Sequence, residues 1–260
     1  MRREKAYVDG RREKVLELIR ETPEIKVAEL ADLLQVSMIT IRRDLQYLEN
    51  KNQLVRFYGG ASIVEENKTE EDEIEQYKKM IARYAASLVE AGDSLFINTS
   101  STALHILEYI NQPNVTVITN NGKAIYTNHS DSINVILTGG ELRYPKNAMV
   151  GDFALRNLQT VFPKKAFVGC AGISLLSGMS TEIIGEVKIN ELMIQNATQE
   201  VYVLADHRKI GKNSSFTSAP IDKITHLITD EKASEDVLME FKNNGVKIYQ
   251  VSKNGDGRFF

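Results

Sequence analysis

The chain has a single cysteine, Cys170, among its 260 residues, so no internal disulfide can form and no Cys-x-x-Cys pair exists. Its four histidines are scattered, without a His-x-x-x-His or zinc-finger spacing, which removes the common structural zinc sites. No apolar run approaches the ~18 residues that cross a bilayer. The opening residues, Met1-Arg2-Arg3-Glu4-Lys5, lack the unbroken apolar stretch of a secretion signal. These absences predict a cytoplasmic chain with no membrane, metal or cofactor. No internal repeat is visible either. What remains is 42% apolar and 26% charged, which excludes disorder and collagen-like structure. The length suits a small domain followed by a medium one.

The net charge of -3 hides an asymmetry, because residues 1–62 carry 12 Lys+Arg against 10 Asp+Glu and the other 198 carry 20 against 25. A mildly basic head precedes an acidic body. Clustered basic surface, more than a domain average, is what binds phosphate.

Three short helices are legible in the head. Val15, Leu16, Leu18 and Ile19 sit at helical spacing over 10–20, and Thr22-Pro23-Glu24 breaks the segment. Val27, Leu30, Ala31 and Leu34 follow i, i+3, i+4, i+7. Ser37 then suits the N-cap of a third helix over 38–51. On that helix Ile41, Leu45 and Leu48 share one face, leaving Thr40, Arg42, Arg43 and Gln46 outside the buried stripe. The run Leu54-Val55-Arg56-Phe57-Tyr58-Gly59-Gly60 reads as a strand and glycine turn, a small wing. Two helices joined by a short turn, the second basic on its outer face, match the geometry that enters the DNA major groove. Arg42 and Arg43 would donate to guanine edges or phosphates, Thr40 to the backbone, and Arg56 and Tyr58 to flanking phosphates. Consecutive arginines on a helix also describe a plain solvated face; here they sit inside a three-helix frame.

Between Glu65 and Glu75 lie seven acidic residues and one lysine, read as an acidic linker over 63–75 that merges into a helix with Ile74, Tyr77, Ile81, Ala85 and Leu88 on one face. From Asp93 onward, β-rich runs at 94–97, 115–119, 134–137, 166–168, 201–205, 226–229 and 247–251 alternate with helical segments. That alternation predicts an α/β domain with a largely parallel sheet. Small and polar residues follow several strand ends: Asn98-Thr99-Ser100-Ser101-Thr102, Thr119-Asn120-Asn121, Thr138-Gly139-Gly140, Gly169 and Asp206. Parallel sheets place their ligand crevices there. The hydroxyl-rich turn 98–102 precedes a helix expected over 103–110, whose N-terminus would attract an anion. Plain N-capping by Ser or Thr is the other reading of that turn. Lys209 could neutralise a phosphate from the opposite side. Cys170 and the histidines at 105, 129 and 226 lack catalytic partners in sequence, and Cys170 reads as a small buried residue.

Arg11, Val15 and Ile19, with Ser37-Met38-Ile39-Thr40-Ile41-Arg42-Arg43-Asp44-Leu45 and the wing segment Tyr58-Gly59-Gly60-Ala61, resemble the helix-turn-helix of the DeoR family of bacterial transcriptional regulators. By that resemblance Thr40, Arg42 and Arg43 contact the operator and Asp44 steadies the helix. Met38 and Ile39 depart from the polar residues frequent there; packing is favoured for Ile39, while Met38 is open between packing and thymine methyls. Gly139-Gly140, Gly151, Phe167-Val168-Gly169, Gly172-Ile173, Gly178, Glu186-Val187-Lys188 and Asp206 with Lys209-Ile210-Gly211 look like the family's effector domain, which is similar in fold to ribose-5-phosphate isomerase. The resemblance implies a phosphorylated sugar or polyol effector and a homodimer or homotetramer on double-stranded operator DNA. One departure stands out. The family's loop commonly reads Asp-x-Gly followed by Ser or Thr and Thr, whereas this chain has Asn98 and Ser100, a retuned loop. An amide at 98 cannot act as a proton-accepting base, which weighs against catalysis.

The expected architecture is therefore a winged helix-turn-helix DNA-binding domain (1–62), an acidic linker (63–75) and an α/β effector-binding domain (76–260) resembling the ribose-5-phosphate isomerase-like fold. The expected function is a repressor of sugar metabolism genes controlled by a sugar phosphate. The candidate DNA contacts are Ser37, Met38, Thr40, Arg42, Arg43, Gln46, Arg56 and Tyr58. The candidate effector contacts are Asn98, Thr99, Ser100, Ser101, Thr102, Asn120, Asn121, Gly139, Gly140, Glu186, Lys188, Asp206 and Lys209. The alternatives are an isomerase-like enzyme with an accessory DNA-binding head, using Asp206 or Glu186 as base, and an architectural DNA-binding protein without a ligand.

Overall fold

Apolar spacing in the first fifty residues produces three helices, α1 (Arg2–Glu21), α2 (Val27–Leu33) and α3 (Met38–Asn50), followed by an antiparallel hairpin of β1 (Leu54–Phe57) and β2 (Gly60–Ile63). The computed structural model describes residues 2–22, 25–51, 53–57, 60–63, 70–253 and 258–259. They fall into two units, Met1–Glu70 and Glu71–Phe260. In the first, Val15 and Ile19 of α1, Leu30 of α2, Ile41, Leu45 and Leu48 of α3 and Leu54 of β1 form one core. Each such side chain contributes ~1.5–3 kcal/mol when fully buried. Ser37 caps α3 as its spacing predicts, its Oγ accepting from the Thr40 N–H at 3.2 Å. Asp44 is buried on the inner face of α3, where the guanidinium groups of Arg11 (2.7 Å) and Arg12 (3.0 Å) neutralise it.

The acidic stretch read as linker over 63–75 is shorter than expected. β2 ends at Ile63, and the helix α4 (Glu70–Ser87) already begins at Glu70. Its apolar stripe (Ile74, Tyr77, Ile81, Ala85) is buried, and acidic residues in a first turn complement the helix dipole.

The second unit alternates strands and helices: β3 (Ser94–Ile97), α5 (Ser101–Leu104), α6 (Ile106–Tyr109), β4 (Val115–Thr119), β5 (Ile133–Leu137), β6 (Glu141–Arg143), β7 (Ala148–Val150), α7 (Asp152–Gln159), β8 (Lys165–Gly169), β9 (Gly172–Ser174), β10 (Gly178–Thr181), α8 (Ile184–Asn196), β11 (Glu200–Leu204), β12 (Phe216–Ala219), β13 (His226–Asp230), α9 (Glu235–Asn243), β14 (Lys247–Val251) and β15 (Arg258–Phe259). The main sheet runs β15-β14-β13-β11-β8-β3-β4-β5, parallel except for the edge strand β15. The seven β-rich runs legible in the sequence are its seven parallel strands. The single helix expected over 103–110 is two short ones, α5 and α6, meeting at His105. A small antiparallel sheet, β12-β10-β9, and the β6-β7 hairpin are not foreshadowed in the sequence, because most of these short strands are interrupted by glycine or polar residues and lack the apolar run that marks β3.

Side chains alternate across the main sheet. Phe96, Val168, Val203, Leu227 and Ile248 pack on one face with Leu158, Met193 and Phe241. Leu95, Ile97, Phe167, Leu204 and Ile228 pack on the other with Ile81, Ala85, Ile106 and Leu107. Chain progression reverses between neighbouring β3 and β8: from β3 it moves to β4 and β5, from β8 to β11, β13 and β14. Loops leaving the two strands diverge there and open a crevice at their carboxyl ends.

Candidate functional site

In the head, the outer face of α3 presents Arg42 and Arg43, both exposed and without an ion-pair partner among the described residues. Thr40 is half-buried beside the Ser37 cap, with the two hydroxyls 2.9 Å apart. Met38 lines a groove with Arg42, Leu45, Arg56 and Lys26. Ile39 corrects the packing expectation: it is 63% exposed, because the stripe Ile41, Leu45, Leu48 turns position 39 outward. Gln46 and Arg56 are not free donors. Arg56 pairs with Glu49 at 2.9 Å and donates to the Gln46 side-chain oxygen, while Gln46 Nε2 donates to Glu49 and Asn50 at 3.1 Å each. This knot holds the Glu49 carboxyl below its ordinary range, chiefly through the Arg56 hydrogen bond, and fastens the wing strand to α3. Tyr58, the last candidate DNA contact, lies outside the described residues.

In the second unit a cleft of about 400 Å³ opens at the carboxyl ends of β3 and β8. Thr99, Ser100 and Ser101 from the β3 turn and Gly169, Cys170 and Ala171 after β8 form its floor. Asn121, Lys123, Lys146, Thr181, Glu182, Glu186 and Lys209 come from neighbouring loops. Of the expected effector contacts, Asn98, Thr99, Ser100, Ser101, Asn121, Glu186 and Lys209 reach the cleft wall.

Asn98 is there in a different capacity from the one expected. Only 2% exposed, its Nδ2 donates to Gly169 O (2.8 Å) and Asn190 Oδ1 (3.0 Å), and its Oδ1 accepts from the N–H groups of Gly169 (2.9 Å) and Ser100 (3.2 Å). The amide thereby uses its two donors and both oxygen lone pairs, tying the end of β3 to the end of β8 and to α8. Ser100 Oγ caps α5, accepting from Ala103 N.

Glu186, buried in the first turn of α8, accepts from Thr99 Oγ1 at Oε1 (2.9 Å) and from Thr181 Oγ1 at Oε2 (2.9 Å), with Lys146 Nζ 3.4 Å from Oε2. Asp206 is fully buried and sits behind Lys209, 3.8 Å from its ammonium, while Arg208 binds it at 3.0 Å. Burial raises the Asp206 pKa, but the Arg208 hydrogen bond and the charges of Lys209 and Arg208 outweigh it and hold the carboxyl below its ordinary value. Asp206 therefore anchors cations. Burial pushes the Cys170 thiol up to about 11, with Lys209 opposing and Asp206 adding to the rise, so it stays protonated at neutral pH and is no nucleophile.

The remaining expected contacts do not line the cleft. Thr102 is buried on α5, its hydroxyl without a partner among the described residues. Asn120 donates to Met149 O (3.2 Å) and binds the β6-β7 hairpin. Gly139 and Gly140 adopt φ of +66° and +110° in the turn after β5, and a Cβ at Gly140 would meet Val150 O at 2.6 Å, so these glycines serve the turn and its packing. Lys188 points outward and pairs with Glu191 at 3.0 Å. Conversely, Lys123 and Lys146 went unnoticed in the sequence. Lys123 follows the strand-end pair Asn120-Asn121 closely enough to have been found; Lys146 sits in the tip between two strands too short to be read.

Three lysines around a hydroxyl-rich turn, beside a carboxylate held by two threonines, make a polar cleft suited to an anionic, hydroxylated ligand. Among the described residues no cluster of His, Cys, Asp and Glu is arranged to hold a metal ion, and no helix is long and apolar enough to cross a membrane.

A winged helix-turn-helix with an exposed arginine pair on its second helix of the motif, carried on a chain with such an α/β unit, defines a DNA-binding transcriptional regulator with a sensor domain. Comparison with known proteins gives the family. The model of the DeoR-like helix-turn-helix domain matches residues 11–67 and that of the DeoR C terminal sensor domain matches residues 73–231; the chain belongs to the DeoR family of transcriptional regulators. It is 33% identical over 257 residues to the uncharacterized HTH-type transcriptional regulator YulB of Bacillus subtilis, covering 95% of this chain and 99% of that one. It is 30% identical over 263 residues to the HTH-type transcriptional repressor GlcR of the same organism, covering 97% and 99%. The lactose phosphotransferase system repressor of Staphylococcus aureus is 30% identical over 237 residues, covering 87% and 94%. Among solved structures, a ribose-5-phosphate isomerase in complex with phospho-erythronic acid matches with a TM-score of 0.41 at 12% identity, over 72% of this chain and 98% of that one. The full-length sorbitol operon regulator SorC of Klebsiella pneumoniae matches with a TM-score of 0.39 at 12% identity, over 88% and 97%. The family is one of regulators, and the chain is not an enzyme; the isomerase alternative is set aside.

Proposed function

We propose that this chain is a cytoplasmic repressor of sugar metabolism genes whose affinity for operator DNA is set by a phosphorylated sugar or polyol held in the sensor cleft. One observation carries the reading: the switch point of the sheet brings Lys123, Lys146 and Lys209 around the Thr99-Ser100-Ser101 turn. The lysines would take the phosphate. Glu186 and Asn121 would take sugar hydroxyls. Relatives named as repressors of a sugar phosphotransferase system and of the aga operon support a sugar-linked role.

The head (1–62) would insert α3 into the major groove, Arg42 and Arg43 reading bases or phosphates, with Ser37, Met38 and Thr40 at its leading end. Two heads on a homodimer or homotetramer would engage paired half-sites. Arg56 and Gln46 would contribute after exchanging their internal bonds for phosphate contacts. Binding would weaken steeply with salt.

Fluorescence anisotropy of labelled DNA from upstream of the gene and its neighbours tests the reading, at fixed salt with and without a panel of phosphorylated sugars. A tenfold shift by one compound, about 1.4 kcal/mol of coupling, supports it. DNA binding that no compound shifts overturns the effector assignment. Arg43→Ala is expected to lose ~1–3 kcal/mol if it reads a base; unchanged affinity in a folded Arg42/Arg43 double alanine variant overturns the DNA-reading surface.

A further inference from the structure

The residues behind the cleft form a second constellation that ligand binding alone does not require. The short 3-10 turn His207–Lys209 has two differently engaged ends. Lys209 lines the cleft and shares Asp206 with Arg208. His207, two residues earlier, is pinned to Asp230 twice: its N–H donates to Oδ2 at 2.8 Å, and its ring Nδ1 lies 2.9 Å from Oδ1. The edge of that imidazole meets Tyr77, with centroids 5.7 Å apart and planes at 83°.

Tyr77 is buried on α4 and belongs to a charged knot. Its hydroxyl donates to Glu231 (3.4 Å) and lies 3.5 Å from Glu73. The ammonium groups of Lys232 and Lys253 stand over its ring at 5.4 Å and 4.7 Å, and each binds Glu73 at 2.7 Å. Glu73 lies in the first turns of α4, the helix that follows the connection from the head. One three-residue turn therefore touches both the cleft, through Lys209, and α4, through the contact of His207 with Tyr77.

We propose that the 206–209 turn couples the cleft to α4, with His207 and Tyr77 as positioning residues that pass a change at Lys209 to the first turns of the helix. The proposal rests on the cleft being the effector site. An anion on Lys209 competes with Asp206 for the same ammonium, so the lysine has two alternative partners. A turn this short cannot re-seat Lys209 without loading its neighbours. His207, held at backbone and ring, cannot absorb the change by swinging away. The close-packed contact with Tyr77 then transmits it, and Tyr77 and Glu73 share the two lysines that fasten α4.

The test uses the full chain and begins without any ligand. Amide hydrogen exchange is followed over residues 70–80 in the parent, in Lys209→Met, and in Lys123→Met as a cleft lysine outside the turn. Lys209→Met is expected to change exchange in α4 by threefold or more and Lys123→Met by less than twofold. His207→Ala should change α4 as well, and the double variant with Lys209→Met should add nothing further. Equal effects of both lysine variants, no effect of either, or simple additivity of the double variant overturn the relay. Should Lys209→Met fail to fold, Tyr77→Leu, which removes the ring that His207 meets, must change exchange over 206–211 by reciprocity; no change there is equally fatal. A ligand arm then separates this proposal from the one beneath it. With a phosphorylated sugar that shifts operator affinity of the parent, His207→Ala should bind that sugar with unchanged Kd while the shift falls fivefold or more. A parent that binds no sugar of the panel defeats the effector reading, and the exchange results still decide the relay.

Discussion

Ser100 occupies the space that any side chain at Gly169 would need: a Cβ built on Gly169 would lie 1.9 Å from Ser100 Oγ and 2.3 Å from Ser100 Cβ. The turn after β3 and the end of β8 are thus fitted to each other across the switch point, with Asn98 bonding the same two residues through its amide. The serine that departs from the family's glycine is accommodated because its neighbour has no side chain.

Gly169→Ala is expected to destabilise the sensor by about 2 kcal/mol, since a methyl forced into this contact must push the β3 turn outward. Ser100→Gly removes the obstacle. The double variant should recover most of the loss in denaturant unfolding, and equal stability of the single and double variants would show that the turn yields freely.

Asn98→Asp restores the family's usual residue at a position where this chain has come to depend on the amide. A carboxylate cannot donate to Gly169 O or Asn190 Oδ1, and it puts a buried charge against both acceptors. A loss of about 3 kcal/mol follows from the two forfeited bonds and the unpaired acceptors. Unfolding of the purified variant at neutral pH measures it; a variant as stable as the parent would mean that the loop rearranges.

Asp44 is the buried carboxylate that Arg11 and Arg12 share. Asp44→Ala is expected to cost the head about 2 kcal/mol, the partial exposure of Arg11 and Arg12 moderating the penalty. Calorimetry of the full chain should show the head's transition moving down while the sensor's stays in place. Weakened operator binding with no thermal change would instead assign Asp44 to the DNA surface.

His226 supplies a pH dependence. It is stacked with Tyr202 (4.4 Å) and Tyr249 (5.8 Å). Burial lowers its pKa below the ordinary 6.5, with Glu200 opposing and Lys247 reinforcing. A histidine kept neutral in the fold binds its proton more readily when unfolded, so its contribution is present above 6.5 and is lost as pH falls toward the folded value. His226→Phe, which keeps an aromatic ring in the stack, should lose less Tm than the parent between about pH 7.5 and about pH 5.5. Identical acid slopes for the two proteins would exclude His226 as the source.

Much of this chain was readable from its sequence because the relevant signals are local. Helical spacing and the Ser37 cap define α3 and put Arg42 and Arg43 outside. Alternating β-rich runs and helices set out all seven parallel strands, and the polar residues after β3 mark the cleft's floor. Those patterns need only neighbours within a few residues. The site's completion was not local. Lys123, Lys146 and Lys209 converge only because the strand order places β3 beside β8, and a linear sequence does not state which strand ends become neighbours. The same holds for the saturated amide of Asn98, whose partners Gly169 and Asn190 lie 71 and 92 residues away, and for Gly139 and Gly140, drawn off to a turn that they alone can make. Periodicity and backbone chemistry were enough to give the helices of the head, the seven parallel strands, the exposed arginine face of α3 and the family's motifs. Which polar groups remain available to a ligand was settled in three dimensions, because buried donors and acceptors such as those of Asn98 are claimed by partners that packing brings from far along the chain.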